Sequence, residues 1–338
     1  MHVQSMSSLR ARILPLAHSF ALLALVGGSS LGCALSPHPT VAVDRPAASS
    51  DLERSLAEAG PIRHEVVISA RWVVDRKGLV NLQHPEAKAA GLRKGDVPVV
   101  LPVHVLRHPE RGLFVIDTGV AKSRVKGEAE GADGDGTRGL VASFLRGIEG
   151  ERSLSSIVEA TGEPLAGVFL THMHLDHVLG LADVPEGTPI YTGPGESSAR
   201  RGGNGLLRGT YRRLLAGHEV REWTFGALDE ADPLAGAVDV FGDGSLWALP
   251  APGHTPGSVA YLVRTTEGPR LIAGDTSHTR WGFEHGVEPG TFTDDHEDNV
   301  RSLEALRSLA SRHRIPTYMG HEEGAVVLGA EVRTVARR

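Results

Sequence analysis

The sequence predicts a layered α/β domain in two similar parts, and three observations predict it. Strand-like apolar runs recur in both halves, as in "EVVISARWVV" and "SVAYLVRTTEGPRLIAGD". Amphipathic helical spacing accompanies them, in "TRGLVASFLRGI" and in "VRSLEALRSLASRH". Side chains of metal-binding type fall where apolar runs give way to turns, the usual place for a site on an α/β sheet. Hydrophobic residues are 41% of the 338, enough for a sizeable core, and with aromatics at 5% that core must be mainly Leu, Val, Ile and Ala. A net charge of -6 and a pI near 6.3 leave no basic footprint for nucleic acid.

From the N-terminus, residues 1–33 read as an export signal. Arg10 and Arg12 precede an apolar stretch from Ile13 to Val26, interrupted by Pro15 and His18, and "GGSSLGC" supplies the small-residue end. The stretch is too short for a membrane span. Cys33 is the sole cysteine, so no intramolecular disulfide forms. "SLGC" resembles the lipobox of bacterial lipoproteins, which implies a lipid anchor at Cys33 in the cell envelope. Ser30 stands where that pattern usually has Leu, and plain signal cleavage, giving a periplasmic or secreted protein, is the alternative.

Residues 34–60, rich in Pro, Ser and Ala, read as a flexible linker, and the folded domain is expected over residues 61–338. Within it, "VPVVLPVHVL" and "GLFVIDTG" form a hairpin about "RHPER", and residues 127–139 form a polar, Gly-rich loop. "SVAYLVRTTEGPRLIAGD" is a second hairpin. Arg200, Arg201, Arg208, Arg212 and Arg213 line the wet side of a helix, or else form a mouth for an anionic substrate. Trp223, Phe225, Trp281 and Phe283 line an apolar pocket or belong to the core.

The stretch "THMHLDH", residues 171–177, follows the apolar run "GVFL" and crowds three histidines and an aspartate together. Neutral imidazole and carboxylate suit Zn²⁺ or a similar borderline cation. His172 and His174 alternate on an extended loop, so both rings turn to one ion, while Asp176 and His177 face another way. Two adjacent metals fit better than one. Three further ligand types follow in series, each between an apolar run and a turn: His254 in "APGHTPGS", Asp275 in "RLIAGDTS" and His321 in "YMGHEE".

Those motifs, in that order, resemble the metallo-β-lactamase-fold hydrolases, from about Ile62 to the C-terminus. The resemblance implies a four-layered αββα sandwich with its site at the edge between two sheets. It implies that His172, His174 and His254 hold the first metal, that Asp176, His177 and His321 hold the second, and that Asp275 bridges them. Asp117 in "VIDTG" matches the aspartate that orients the ligand loop, with a turn-capping role as the alternative. Two Zn ions are the expected cofactors, with Fe, Mn or Co as alternatives. Two cations make hydroxide available near neutral pH for attack on a carbonyl carbon or phosphorus, with Asp176 moving the proton.

Within the superfamily, the bridging Asp275 argues against β-lactam hydrolysis, and His174 excludes the flavodiiron pattern. Lactonase-like, glyoxalase II-like thioesterase, persulfide dioxygenase-like and phosphotriesterase-like groups remain. The spacing from His254 through Asp275 to His321 and the run "GDTSHTRWGFEHGVEPGTF" resemble the acyl-homoserine lactonases. The implied activity is opening of a lactone or ester bond in a small-molecule substrate. Those lactonases usually carry Tyr where this chain has His278, and an imidazole there is expected to donate the same hydrogen bond to the substrate carbonyl. The non-enzymatic alternative is an envelope metal- or ligand-binding module, against which the complete ligand set speaks.

Overall fold

The computed structural model describes residues 34–329 apart from 37, 45–46, 129–137, 200–203, 227–231, 233 and 235. The expected export segment with Cys33, most of the Gly-rich loop, and Arg200 and Arg201 therefore lie outside the described residues. The strands divide by chain order into two sheets. The first holds β1 (Thr40–Asp44), β2 (Arg63–Asp75), β3 (Asp96–His108), β4 (Gly112–Ile116), β5 (Glu149–Gly150), β6 (Leu165–Phe169), β7 (Ile190–Thr192) and β8 (Val220–Thr224). The second holds β9 (Val238–Asp239), β10 (Leu246–Pro250), β11 (Val259–Thr265), β12 (Gly268–Ile272), β13 (Thr317–Tyr318) and β14 (Ala325–Val326). Their spatial orders are β1-β8-β7-β6-β4-β3-β2-β5 and β14-β13-β12-β11-β10-β9.

Alternation of side chains along each strand assembles the layers. On β4, Phe114 and Ile116 enter a core between the sheets, while Leu113 and Val115 enter a second core on the outer face. On β10, Leu246 and Ala248 take the inter-sheet side, and Trp247 and Leu249 the far side. Both faces of these strands are buried, which is why they read as unbroken apolar runs. Leu154, Ile157, Leu214 and Leu215 cover the first sheet from outside; Leu303, Leu306, Leu309 and Ala310 of the helix His296–His313 cover the second. The order helix, sheet, sheet, helix is the expected αββα sandwich.

Both expected hairpins form, β3 with β4 and β11 with β12, each antiparallel. "TRGLVASFLRGI" is a shorter helix than its spacing suggests, Gly139–Phe144 with a 3-10 turn at Leu145–Gly147. The linker expectation for 34–60 is corrected. Thr40–Asp44 pairs in parallel with β8 as an edge strand, and the helix Ser49–Ser55 buries Leu52 completely. The reason is a minimal apolar pattern inside a Pro/Ser/Ala-rich stretch: Val43 packs on the inter-sheet core while Val41 faces out. Upstream, Leu35 N–H donates to Ala199 O at 3.0 Å and Ser36 N–H to Ser197 O at 2.8 Å. Among the described residues no helix is long and apolar enough to cross a membrane.

Candidate metal centre

All seven expected ligands meet at one end of the sandwich, each carried beyond a strand. The first sheet sends the loop after β6, which runs into the short helix Leu175–Val178. The second sends the turn between β10 and β11 with His254, the turn after β12 with Asp275, and the turn after β13 with His321. Backbone hydrogen bonds join the pieces: Val259 N–H donates to Thr171 O at 2.8 Å, and Gly320 N–H to Gly274 O at 3.0 Å. A Cβ on Gly320 would collide with Asp275 Oδ1, so glycine there lets the carboxylate approach.

Asp275 is the hub. From its Oδ2, His321 Nε2 lies at 3.2 Å, His177 Nε2 and His254 Nε2 at 3.4 Å, and His172 Nε2 at 3.7 Å. Across the centre, Asp176 Oδ2 is 3.4 Å from His321 Nε2 and 3.8 Å from His177 Nε2, and His254 Nε2 is 2.9 Å from His174 Nδ1. Ligand bonds of about 2.0–2.1 Å place adjacent donor atoms about 3.0–3.4 Å apart, so most of these separations match edges of a coordination shell.

The outer nitrogens of His172, His177 and His321 all have partners, whereas Nδ1 of His254 is buried without one. Asp117, at φ 57° beyond β4, accepts from Thr171 N–H at 2.8 Å, from Thr171 Oγ1 at 2.9 Å and from His177 Nδ1 at 2.8 Å. It thus ties Thr171 to His177, the two ends of the expected ligand loop. Thr171 Oγ1, already donating to Asp117, accepts from His172 Nδ1 at 3.1 Å, and His321 Nδ1 donates to Val100 O at 3.0 Å. The tautomers so selected turn Nε2 of His172, His177 and His321 inward. His172 Nε2, His177 Nε2 and Asp275 Oδ1 are buried without any hydrogen-bond partner. Unsatisfied donor atoms of this kind are costly unless something occupies the space between them, and imidazole with carboxylate is a donor set that fits Zn²⁺ and its neighbours.

Electrostatics agree. Burial, then the neighbouring rings of His177, His174 and His254, keep His172 well below the ordinary imidazole value of 6.5. Burial likewise keeps His254 neutral against the pull of Asp275. Burial opposes the charge on Asp275, yet His321, His278 and His177 hold its carboxyl well below the usual range. Burial also opposes protonation of His177, and Asp275, Asp117 and Asp176 overcome it. His174 and Asp176 are only partly buried, so the centre opens to solvent on their side.

His278 also joins the cluster, 1% exposed with Nε2 3.0 Å from Asp275 Oδ2. Of the four aromatic candidates, Trp223 and Phe283 are core residues, and Trp281 stacks on His285 at 4.3 Å. On the helix Asn204–Leu214, Arg212 and Arg213 are exposed, as the wet-side reading expects, whereas Arg208 is half-buried. Sequence reasoning missed Glu196. It is 1% exposed and accepts Met173 N–H at Oε1 and Gly257 N–H at Oε2, both at 3.0 Å, tying the loop of His172 and His174 to the turn of His254. The one signal available was a carboxylate within "GPGESS", just beyond a strand.

Known proteins resemble this chain in sequence and in fold. N-acyl homoserine lactonase AttM of Agrobacterium fabrum is 29% identical over 236 residues, which span 68% of this chain and 84% of that protein. Gamma-lactamase MBL2 of Gibberella moniliformis is 30% identical over 162 residues, 41% of this chain and 65% of that protein. Among solved structures, a quorum-quenching N-acyl homoserine lactone lactonase superposes with a TM-score of 0.56 at 19% identity, covering 79% of this chain and 94% of that one. AidC, a dizinc quorum-quenching lactonase, does so with a TM-score of 0.50 at 13% identity, covering 82% and 93%. The family model described as the metallo-beta-lactamase superfamily matches residues 97–321, from the start of β3 to the last ligand histidine, and the chain therefore belongs to the metallo-beta-lactamase superfamily.

Proposed function

We propose that this chain is a dinuclear-metal hydrolase that opens a lactone ring, with N-acyl homoserine lactones as the first substrate class. The observation that carries the reading is the set of inward imidazole nitrogens around Asp275, with His172 Nε2 and His177 Nε2 buried without a hydrogen-bond partner. The lactone bond is chosen on the relatives that this chain resembles in sequence and in fold. His172, His174, His254 and Asp275 would hold one cation; Asp176, His177 and His321, sharing Asp275, would hold the other. Zinc is the first expectation for the ions, with Fe, Mn or Co as the alternatives.

When bound, such a pair lowers the pKa of water toward neutrality and draws electron density from an ester carbonyl. The protein supplies alignment and proton handling. Ring opening adds the water oxygen to the carbonyl carbon, breaks the ring C–O bond and leaves the ring oxygen needing a proton. We assign Asp176 to carry it, a reading supported by its side chain being 17% exposed, against 3% for Asp275. Its carboxylate would take the proton from water and return it to the leaving oxygen. Glu196 and Asp117 keep the loops fixed while this occurs.

The test is hydrolysis by purified protein, chelator-treated and metal-restored, across acyl-homoserine lactones, γ-lactams, β-lactams, thioesters and phosphotriesters. Lactones should turn over, lose turnover with chelator and regain it with metal. Asp275→Ala should lower both metal content and turnover by orders of magnitude with the fold kept. Inert lactones beside an active glutathione thioester or phosphotriester would sink the lactone reading.

A further inference from the structure

His278 belongs to the centre without having a place in the seven-ligand pattern. One ring nitrogen, Nε2, lies 3.0 Å from Asp275 Oδ2; the other, Nδ1, is buried without a hydrogen-bond partner. The ring stacks on His321 at 5.4 Å, meets His254 edge-on at 5.0 Å, and has Phe292 at 6.1 Å. A donor to a substrate carbonyl must face the space that substrate enters, and that side of the centre is marked by the partly exposed His174 and Asp176. His278 instead sits inside, at 1% exposure, aimed at the shared carboxylate.

We propose that His278 is an eighth metal ligand, binding through Nε2 the cation that His321 and Asp275 hold. Asp275, His278 and His321 offer one ligand atom each, all within 4.8 Å of one another. The backbone makes two of them a unit, since His321 N–H donates to His278 O at 3.3 Å. Asp176, His177 and His321 form a group of their own that shares His321 with this one, so the second pocket would draw on five protein donors, while the first keeps three imidazoles and the shared carboxylate. Four donors suit tetrahedral zinc, and five suit a cation that accepts five or six ligands. The two pockets therefore differ in metal preference, with Mn²⁺, Fe²⁺ or Co²⁺ favoured at the second. This rests on the dinuclear reading but not on the identity of the substrate.

Titration of the chelator-treated protein with Co²⁺ alone tests it, followed by visible absorption. In the wild type, the second equivalent should add only the weak bands of a five- or six-coordinate ion. His278→Gln should intensify those bands and weaken the second equivalent by about 100-fold or more, beyond the range for a residue that merely supports a ligand, with the first equivalent unchanged. Matching thermal unfolding of the metal-free forms checks the variant's fold, and if it fails to fold the wild-type spectrum decides. Two wild-type equivalents with intense four-coordinate bands would overturn the proposal. So would a variant that binds both equivalents normally and loses only kcat, the result expected of a substrate hydrogen-bond donor. A wild type inert to lactones would remove the proposed substrate and leave the cobalt result standing.

Discussion

Glu196 joins the loop of His172 and His174 to the turn of His254, and among the described residues no other carboxyl accepts from both. Hydrogen bonds of a backbone N–H to a charged acceptor contribute about 1.5–3 kcal/mol each, and a buried donor left unpaired costs a similar amount. Glu196→Gln keeps the volume but turns an NH₂ group toward an N–H, so one loop must shift. Affinity for the first cation, held by His172, His174 and His254, should fall about 10- to 100-fold while the second site keeps its own. Competition with a fluorescent chelator measures this, and unchanged affinity at both sites would count against the clamp. At this scale the ligands were legible because metals demand particular residue types in order. Glu196 was not, because accepting two N–H groups leaves no spacing rule: its partners lie 23 and 61 residues away.

Strands β2 and β3 carry a separate imidazole pair, His104 buried and His64 half-buried, far simpler than the cluster around Asp275. His64 Nε2 and His104 Nδ1 stand 3.0 Å apart with rings stacked at 5.2 Å, and Tyr318 of β13 meets both edge-on. Burial and then Arg270 lower His64 to about 4 from 6.5, and burial and then His64 hold His104 well below 6.5. Because the fold prefers both neutral, their contribution is complete above pH 6.5 and is lost as pH falls from 6.5 through about 4. Each titrating histidine steepens the loss by up to about 1.4 kcal/mol per pH unit. Urea unfolding of the metal-free protein at pH 7.5 and 5 should show His64→Phe less acid-sensitive than wild type, and equal sensitivity would refute the assignment. The strands themselves were readable from apolar runs such as "GLFVI", buried on both faces. β1 was not, because "TVAVD" is five residues inside a linker-like composition and its partner β8 lies far along the chain. Pairings of that separation, like His64 with His104, leave no local trace.

At the scale of the molecule, the two halves are held together at the site, since one sheet brings His172, His174, Asp176 and His177 and the other brings His254, Asp275 and His321. Export is expected from Arg10, Arg12, the apolar stretch and Cys33. Fractionation of cells expressing the full chain should place it in the envelope, and Cys33→Ala should release it from membranes. Membrane association that survives the substitution would contradict lipid attachment. The pairing of Leu35 and Ser36 with Ala199 and Ser197 changes what such an attachment would mean. Only Ala34 separates Cys33 from that pairing, and Ser197 is next to Glu196, whose carboxyl reaches the ligand loops. A lipid on Cys33 would then act as a rigid mount instead of a leash. The mouth of the centre would ride at one height and tilt over the bilayer, sampling molecules dissolved in that surface ahead of those in the bulk.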